Sequence, residues 1–484
     1  MSRGFGAALS ALAGLTVASC AVGPNYVAPA TPTTANAPFV SSTAPAMSSE
    51  APPPQWWKLY QDPVLDGLLQ QALTENRDLK VAAANLAYAQ ALVGEARTGL
   101  FPSTDLSAGD TYGRSATANL LASLTGQKAT PTWTDSAGFT TAYQVDLFGR
   151  VRRTIQAAHA NAQAAKAAED AVRVTVVAET IQAYANACAY AEQADVARHS
   201  VAVIEQSYQI TLDERSAGAA TDLDIDRQAA LLDETRAAVP TLEGQHRAAL
   251  FELAALIGKT PAEVPADAAA CKTAPRIIQV LPVGDGAALL RRRPDVSEAE
   301  RQLAAATARI GVSAADLYPT ISLGGSATGA GSTPASLTSS SSFSFSAGPM
   351  LTWTFPNISL ARAHVKEASA QASSALASFD SVVLQALKEA ETALTTYAGE
   401  LDRHAALTSA HDHAADALRL AKVQYEAGSA SGLDLIAAET TSIAADQALA
   451  ASDQALASDQ ISVFQALGGG WEQAPAIKPL PLPR

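Results

Sequence analysis

The sequence predicts a mainly α protein that also carries strands whose alternation suits either a soluble half-buried sheet or a membrane β-barrel, built from a duplicated unit of two strands followed by a long helical hairpin. The first observation is repetition. Glu95-Ala96-Arg97-Thr98-Gly99-Leu100-Phe101-Pro102-Ser103-Thr104-Asp105-Leu106 returns as Val312-Ser313-Ala314-Ala315-Asp316-Leu317-Tyr318-Pro319-Thr320-Ile321-Ser322-Leu323. Ala217-Gly218-Ala219-Ala220-Thr221-Asp222-Leu223-Asp224 returns as Ala427-Gly428-Ser429-Ala430-Ser431-Gly432-Leu433-Asp434, and Leu256-Ile257-Gly258 as Ala466-Leu467-Gly468. The spacing is roughly 217 residues early and roughly 210 later, which marks duplication of a whole unit rather than a solenoid of short repeats. The other two observations are segments that alternate polar and apolar residues with period two, and long stretches free of proline.

Taken in order, Arg3 precedes an apolar run from Phe5 to Val17 that ends in Val17-Ala18-Ser19-Cys20, the pattern of a signal peptide. The tetrad resembles the bacterial lipobox, in which the cysteine becomes the first mature residue and carries acyl and diacylglycerol groups; an ordinary signal peptide with an incidental Cys20 is the alternative. Residues 1–19 are therefore read as signal and 20–54 as an acylated Pro/Ala-rich arm, whose composition is that of an extended tether or wrapping arm. The first repeat is assigned to 55–258, an inter-repeat link to 259–284, the second repeat to 285–468 and a Pro-rich tail to 469–484. No Pro/Gly-rich linker separates unrelated compositions, so the chain reads as one pseudo-symmetric domain.

Within each repeat a helix is expected first, over Asn76 to Arg97 and Val296 to Asp316, stopped by the matched Leu-aromatic-Pro because proline lacks an amide and disfavours helix in the residue before it. Strands follow: Leu106 opposes Asp105 and Ser107, and Ile321 and Leu323 flank Ser322. Returning strands run through Phe139, Thr141, Tyr143, Val145 and Leu147 and through Leu351, Trp353 and Phe355. Loops are expected at roughly 113–135 and 326–342, and Gly324-Gly325 is read as a turn. Two rods come next, Arg150 to Asp213 and Ala361 to Glu426; about 64 residues at 1.5 Å each make roughly 95 Å. Each is broken at Gly218 or Gly428 and followed by a return helix.

The balance of 33 Lys+Arg against 47 Asp+Glu, net −14, argues against a nucleic-acid partner. Cys188 and Cys271 are left as a candidate disulfide for an oxidising compartment. Beyond the signal no apolar run reaches the roughly 20 residues of a spanning helix, so a membrane crossing would have to use strands. Four strands cannot close a barrel; two copies would supply eight and three twelve.

Val22-Gly23-Pro24-Asn25-Tyr26 after Cys20, the Trp56-Trp57 opening, Asp146-Leu147-Phe148-Gly149-Arg150, Arg292-Arg293-Pro294-Asp295, Leu317-Tyr318-Pro319 and the duplicated hairpins together resemble the TolC/OprM-type outer-membrane factors, specifically the lipoproteins of RND-type tripartite efflux systems. The resemblance implies a homotrimer with a 12-stranded barrel in outer-membrane lipid, a periplasmic helical tunnel, an equatorial collar, a periplasmic adaptor and an inner-membrane RND-type transporter. It also places the closed aperture at the hairpin turns, making Arg215, Asp222, Asp224, Asp226, Tyr425, Asp434 and Glu439 the gating candidates, with Arg215 set against its counterpart Tyr425. Ordinary helix caps would use the same residue types, Asp222 standing where an N-cap would. Ala437 occupies the position where the family carries an aspartate, so Asp434 or Glu439 takes over or the aperture is tied differently.

No enzyme is expected. His411 and His413 are two apart on a helix and cannot share a metal, His404 and His411 read as solvated, and no phosphate loop, zinc spacing or nucleophile elbow occurs. The leading functional expectation is a passive export conduit for small toxic compounds; a polypeptide-export conduit and a lipid-anchored periplasmic coiled-coil strut are the competing ones.

Overall fold

The computed structural model describes residues 21–42 and 45–477. The expected signal peptide, Cys20 and the end of the tail lie outside the described residues. In chain order the strands are β1 Met47–Ser48, β2 Ser103–Gly113, β3 Thr132–Val145, β4 Leu281–Pro282, β5 Thr320–Gly331 and β6 Phe343–Thr352. The helices are α1 Pro63–Glu75, α2 Arg77–Thr98, α3 Ala116–Thr125, α4 Arg150–Ser216, α5 Asp222–Leu256, α6 Ala266–Ala269, α7 Gly286–Arg292, α8 Pro294–Ala315, α9 Ser359–Glu426 and α10 Gly432–Ala466. Compact units do not coincide with the repeats: one holds residues up to Ala28, Tyr88–Ala164 and Glu300–Ser378, the other Pro29–Ala87, Ala165–Ala299 and the chain from Phe379. Where the sequence was read as one pseudo-symmetric domain, each of the two units draws on both copies.

The first unit contains a four-stranded antiparallel sheet in the order β2-β3-β5-β6, so the copies meet at β3 and β5. Register makes the alternation two-dimensional: Leu106, Phe139, Ala327 and Phe345 form one row across the sheet, and the next row is Asp105, Thr140, Ser326 and Ser346. One face is thus largely apolar and aromatic, interrupted towards the β2–β3 connection by the paired Asp110 and Asp135, and the other carries hydroxyls, with Ser326 and Ser346 hydrogen-bonded at 2.9 Å.

Several local expectations are corrected here. Gly324-Gly325 is not a turn but the middle of β5, paired with Ala142 and Thr141 on one side and with Gly348 and Ala347 on the other. The loop expected at 326–342 is strand as far as Gly331, and the loop expected at 113–135 contains α3. Trp353 and Phe355 lie beyond the end of β6, and Leu147 beyond β3. Low β propensity of Gly and Ser misled the reading, because two neighbouring strands supply ladder partners that outweigh it.

The arm is anchored on this unit by a buried arginine. Arg153, 4% exposed, donates from Nε to the carbonyl of Val22 at 3.2 Å and from Nη2 to the carbonyls of Ala21 and Gly23 and to Asn25 Oδ1. Gly23 has φ +89°, and a Cβ there would lie 2.6 Å from Gly311 Cα, so the motif glycine is required both by its backbone and by the close approach.

The second unit is built around a core in which Trp56 stacks on Phe464 at 4.5 Å, with Leu65, Leu69, Ile181 and Leu253 fully buried nearby. Burial of each large side chain stabilises by about 1.5–3 kcal/mol. The arm, read as an extended tether or wrapping arm, places Ala35, Phe39 and Met47 in this core, and β1 pairs in parallel with β4 of the inter-repeat link. The two copies end alike but with different donors. Asn76 Nδ2 donates to the carbonyl of Leu256 at 3.0 Å, and Arg293 Nη1 donates to the matched carbonyl of Ala466 at 2.9 Å. Gly258 and Gly468 have positive φ, and a Cβ would meet the Glu75 carbonyl or the Arg293 side chain at 2.7 and 2.6 Å, which explains the repeated glycine.

Cys188 on α4 and Cys271 in the link are bonded, S–S 2.05 Å. Tryptic maps of periplasm-derived protein should contain the linked peptide only without reductant, and Cys188→Ala with Cys271→Ala should lose about 2–5 kcal/mol of stability in denaturant titrations. Arg153→Ala should release the arm, read as new protease cleavage between Ala21 and Tyr26; an unchanged digestion pattern would show that the clamp is dispensable.

Candidate functional site

The two hairpin turns share one capping device. Thr221 precedes α5, its hydroxyl accepting from the Asp224 amide at 3.3 Å while Asp224 Oδ2 accepts from the Thr221 amide at 3.0 Å. Ser431 and Asp434 repeat this ahead of α10 at 3.3 and 3.0 Å. Each box satisfies amides that a helix start leaves open, and loss of such a cap costs about 1 kcal/mol. Gly218 and Gly428, at φ +79° and +72°, make the preceding left-handed step. The repeated turn signal is therefore first of all a helix start.

This assigns the candidates. Asp222 is not the N-cap, since Thr221 fills that place; it is the first residue of α5 and accepts from Arg215 Nε at 2.7 Å across the turn. The Arg215 hydrogen bond and charge hold the Asp222 carboxyl below its ordinary range, and hydroxyl and amide donors of Thr221 and Ser431 do the same for Asp224 and Asp434. Both ends of the Arg215–Asp222 pair are exposed, so solvent screening leaves it little weight in stability. Asp226 is exposed on α5.

Two other ties join the hairpins. The Tyr425 hydroxyl donates to Glu214 Oε2, one residue before the Arg215 that was expected to face it. Glu439, one of the gating candidates, is 0% exposed. Its carboxylate accepts from Ser207 Oγ on α4 and, at 3.5 Å, from Gln228 Nε2 on α5. One residue of the second hairpin thus holds both helices of the first. Burial pushes the pKa of Glu439 up, against the opposing effect of the Ser207 and Gln228 bonds; burial and the Glu214 carboxylate raise that of Tyr425, keeping its hydroxyl a donor.

Sequence reasoning missed Ser207, Glu214 and Gln228. A signal existed on α4, where Ser207, Thr211 and Glu214 fall at helical spacing on one face. Ala437 is exposed, Asp434 is engaged in its cap and Glu439 points inward, so the hairpins of one chain are joined by Tyr425–Glu214 and Glu439–Ser207/Gln228. Of the histidines, His404 pairs with Asp453 at 2.8 Å and His411 with Asp446 at 3.2 Å. Among the described residues no group of three ligand-type side chains could hold a metal.

Because burial makes the folded state bind the Glu439 proton more tightly than the unfolded chain, the stability this site contributes is fully present below the ordinary glutamate range and is lost as pH rises through the raised value. Thermal melts of detergent-solubilised protein across that window should decline with pH, and Glu439→Gln should flatten the decline; an unchanged slope would exclude Glu439 as its source.

Comparisons place this arrangement among known proteins. The family model described as outer membrane efflux protein matches residues 68–259 and 287–469. Outer membrane protein OprJ of Pseudomonas aeruginosa is 28% identical over 467 residues, covering 96% of each chain. The pyoverdine export outer membrane protein OpmQ of the same organism is 30% identical over 431 residues, 86% of this chain and 88% of its own. The solved outer-membrane channel OprN superposes with a TM-score of 0.85 at 32% identity, covering 93% of this chain and all of its own. With both repeats matched and the fold shared along nearly the whole length, the chain belongs to the outer membrane efflux protein family.

Proposed function

We propose that three copies of this chain form a passive outer-membrane conduit that exports small toxic compounds or drugs, closed at the hairpin tips and opened when a periplasmic adaptor and an inner-membrane RND-type transporter engage it. The observation that carries assembly of several copies is the sheet, the number three following the family likeness: β2 and β6 have a neighbour on one side only, and one face carries the Leu106, Phe139 and Phe345 row suited to lipid. Three copies joined edge to edge supply twelve strands and leave no open edge. Cys20 would carry the acyl and diacylglycerol groups, inserted in one leaflet beside the arm held by Arg153. OpmQ, by its name an exporter of pyoverdine, supports a small-molecule cargo over a polypeptide. Conduction requires no catalytic group.

Closure rests on the two ties between hairpins, which are non-covalent and can be broken by a partner that separates the helices. Planar-bilayer recordings of Tyr425→Phe combined with Glu439→Ala should show single-channel conductance several times that of the unaltered chain. Asp222→Ala with Asp434→Ala, which leaves both ties intact, should raise it less. Equal conductance in all three would place the gate elsewhere.

A further inference from the structure

We propose that α2 of one copy packs along the start of α9 of the next, in a register set by two ion pairs of opposite sense; this rests on the assembly of copies proposed above. The sheet dictates which helices can meet. α2 leads into β2, β3 into α4, α8 into β5 and β6 into α9, so the strand order β2-β3-β5-β6 carries over to the helices as α2-α4-α8-α9. Side chains join that row at each step. Arg97 Nη2 lies 2.9 Å from His159 Nε2 between α2 and α4, Arg301 Nη1 donates to Gln163 Oε1 at 3.3 Å between α8 and α4, and Arg293, next to the start of α8, pairs with Glu389 of α9 at 2.7 Å. α2 and α9 therefore end the row as β2 and β6 end the sheet. Where β6 of one copy meets β2 of the next, α9 and α2 are brought side by side, running in opposite directions.

Both helices carry an open face for this contact. On α2, Val81 and Tyr88 are 59 and 67% exposed and share a stripe with Arg77 and Glu95; on α9, Leu376 is 42% exposed and shares a stripe with Arg362, Ser369 and Asp380. Counted from the helix ends nearest the sheet, Thr98 and Ser359, the two stripes match position by position. Glu95 and Arg362 each stand 3 residues in, Tyr88 and Ser369 10, Val81 and Leu376 17, and Arg77 and Asp380 21. Acid thus meets base at one end and base meets acid at the other, with an aromatic ring and an apolar pair between them. The ring has room, because Ser369 and Ser373 turn their hydroxyls back to the carbonyls of Val365 and Ser369, at 2.7 and 3.1 Å, and present a low, satisfied surface. All four charged residues are exposed, and among the described residues none has an ion pair within its own chain. A slide of one helical turn, about 5.4 Å, would part both pairs at once, so the charges select the register.

The test introduces Glu95→Cys and Arg362→Cys together into the full chain, whose own Cys188 and Cys271 are bonded to each other. Mild oxidation in outer-membrane preparations should link copies into dimers and trimers resolved without reductant, and neither single variant should do so. Val81→Cys with Leu376→Cys should behave alike. Separately, Glu95→Arg should speed dissociation of the detergent-solubilised assembly about two- to fivefold, and adding Arg362→Glu should restore the original rate. Copies that sediment as an assembly yet form neither cross-link overturn this interface and leave the assembly standing, as does a link formed within a single chain. Cross-linking without rescue by the charge swap overturns the part given to the ion pairs. A chain that sediments as a monomer and resists bifunctional cross-linking in membranes overturns the assembly reading and the proposal with it.

Discussion

A four-stranded sheet in hydrocarbon has nowhere to place the hydrogen-bonding groups of its outer strands, and each group left unsatisfied there costs several kcal/mol. That deficit is the constraint on which the rest of the molecule depends. β2 and β6 are those outer strands, and they run in opposite directions because every pairing in the sheet is antiparallel. One copy can therefore offer its β6 to the β2 of the next and keep the alternation unbroken. Duplication makes this possible, since two strands from each repeat meet at β3 and β5 and hand the open edges to the neighbours.

The repeats preserve positions more faithfully than chemistry. Asn76 and Arg293 occupy equivalent places and bond equivalent carbonyls, yet one is a neutral amide and the other a buried cation that also pairs with Asp295 and Glu389. At the tips the capping boxes are the same device twice, whereas the bonds between hairpins use different residues on the two sides. Backbone ends impose the same demand in both copies, so capping stays constant. The faces between helices impose no such identity, and there the copies diverge.

The arm shows what composition leaves undecided. Rich in Pro, Ala, Ser and Thr, it lacks the apolar density to fold by itself, yet it buries Ala35, Phe39 and Met47 in a core that other segments had already assembled. Its first described residues are held through their carbonyls by Arg153, an interaction indifferent to the side chains of Ala21 and Val22 and so hidden from any pattern of side-chain types.

The sequence by itself determined the repeat, the long helices, the four strands and the glycine turns, because period, proline and φ requirements act locally and leave a trace at each residue. It misplaced Gly324-Gly325, whose strand state depends on neighbours far along the chain, and it put Asp222 in the place of Thr221 because a cap differs from the residue after it only by geometry. It offered Tyr425 and Glu439 as gating candidates, through the family resemblance, but not their partners. Only the tertiary structure decided that Tyr425 meets Glu214 and that Glu439 is buried against Ser207 and Gln228, since the side chain that a helix face meets is set by the rotation and register of the helix opposite, which no local pattern encodes.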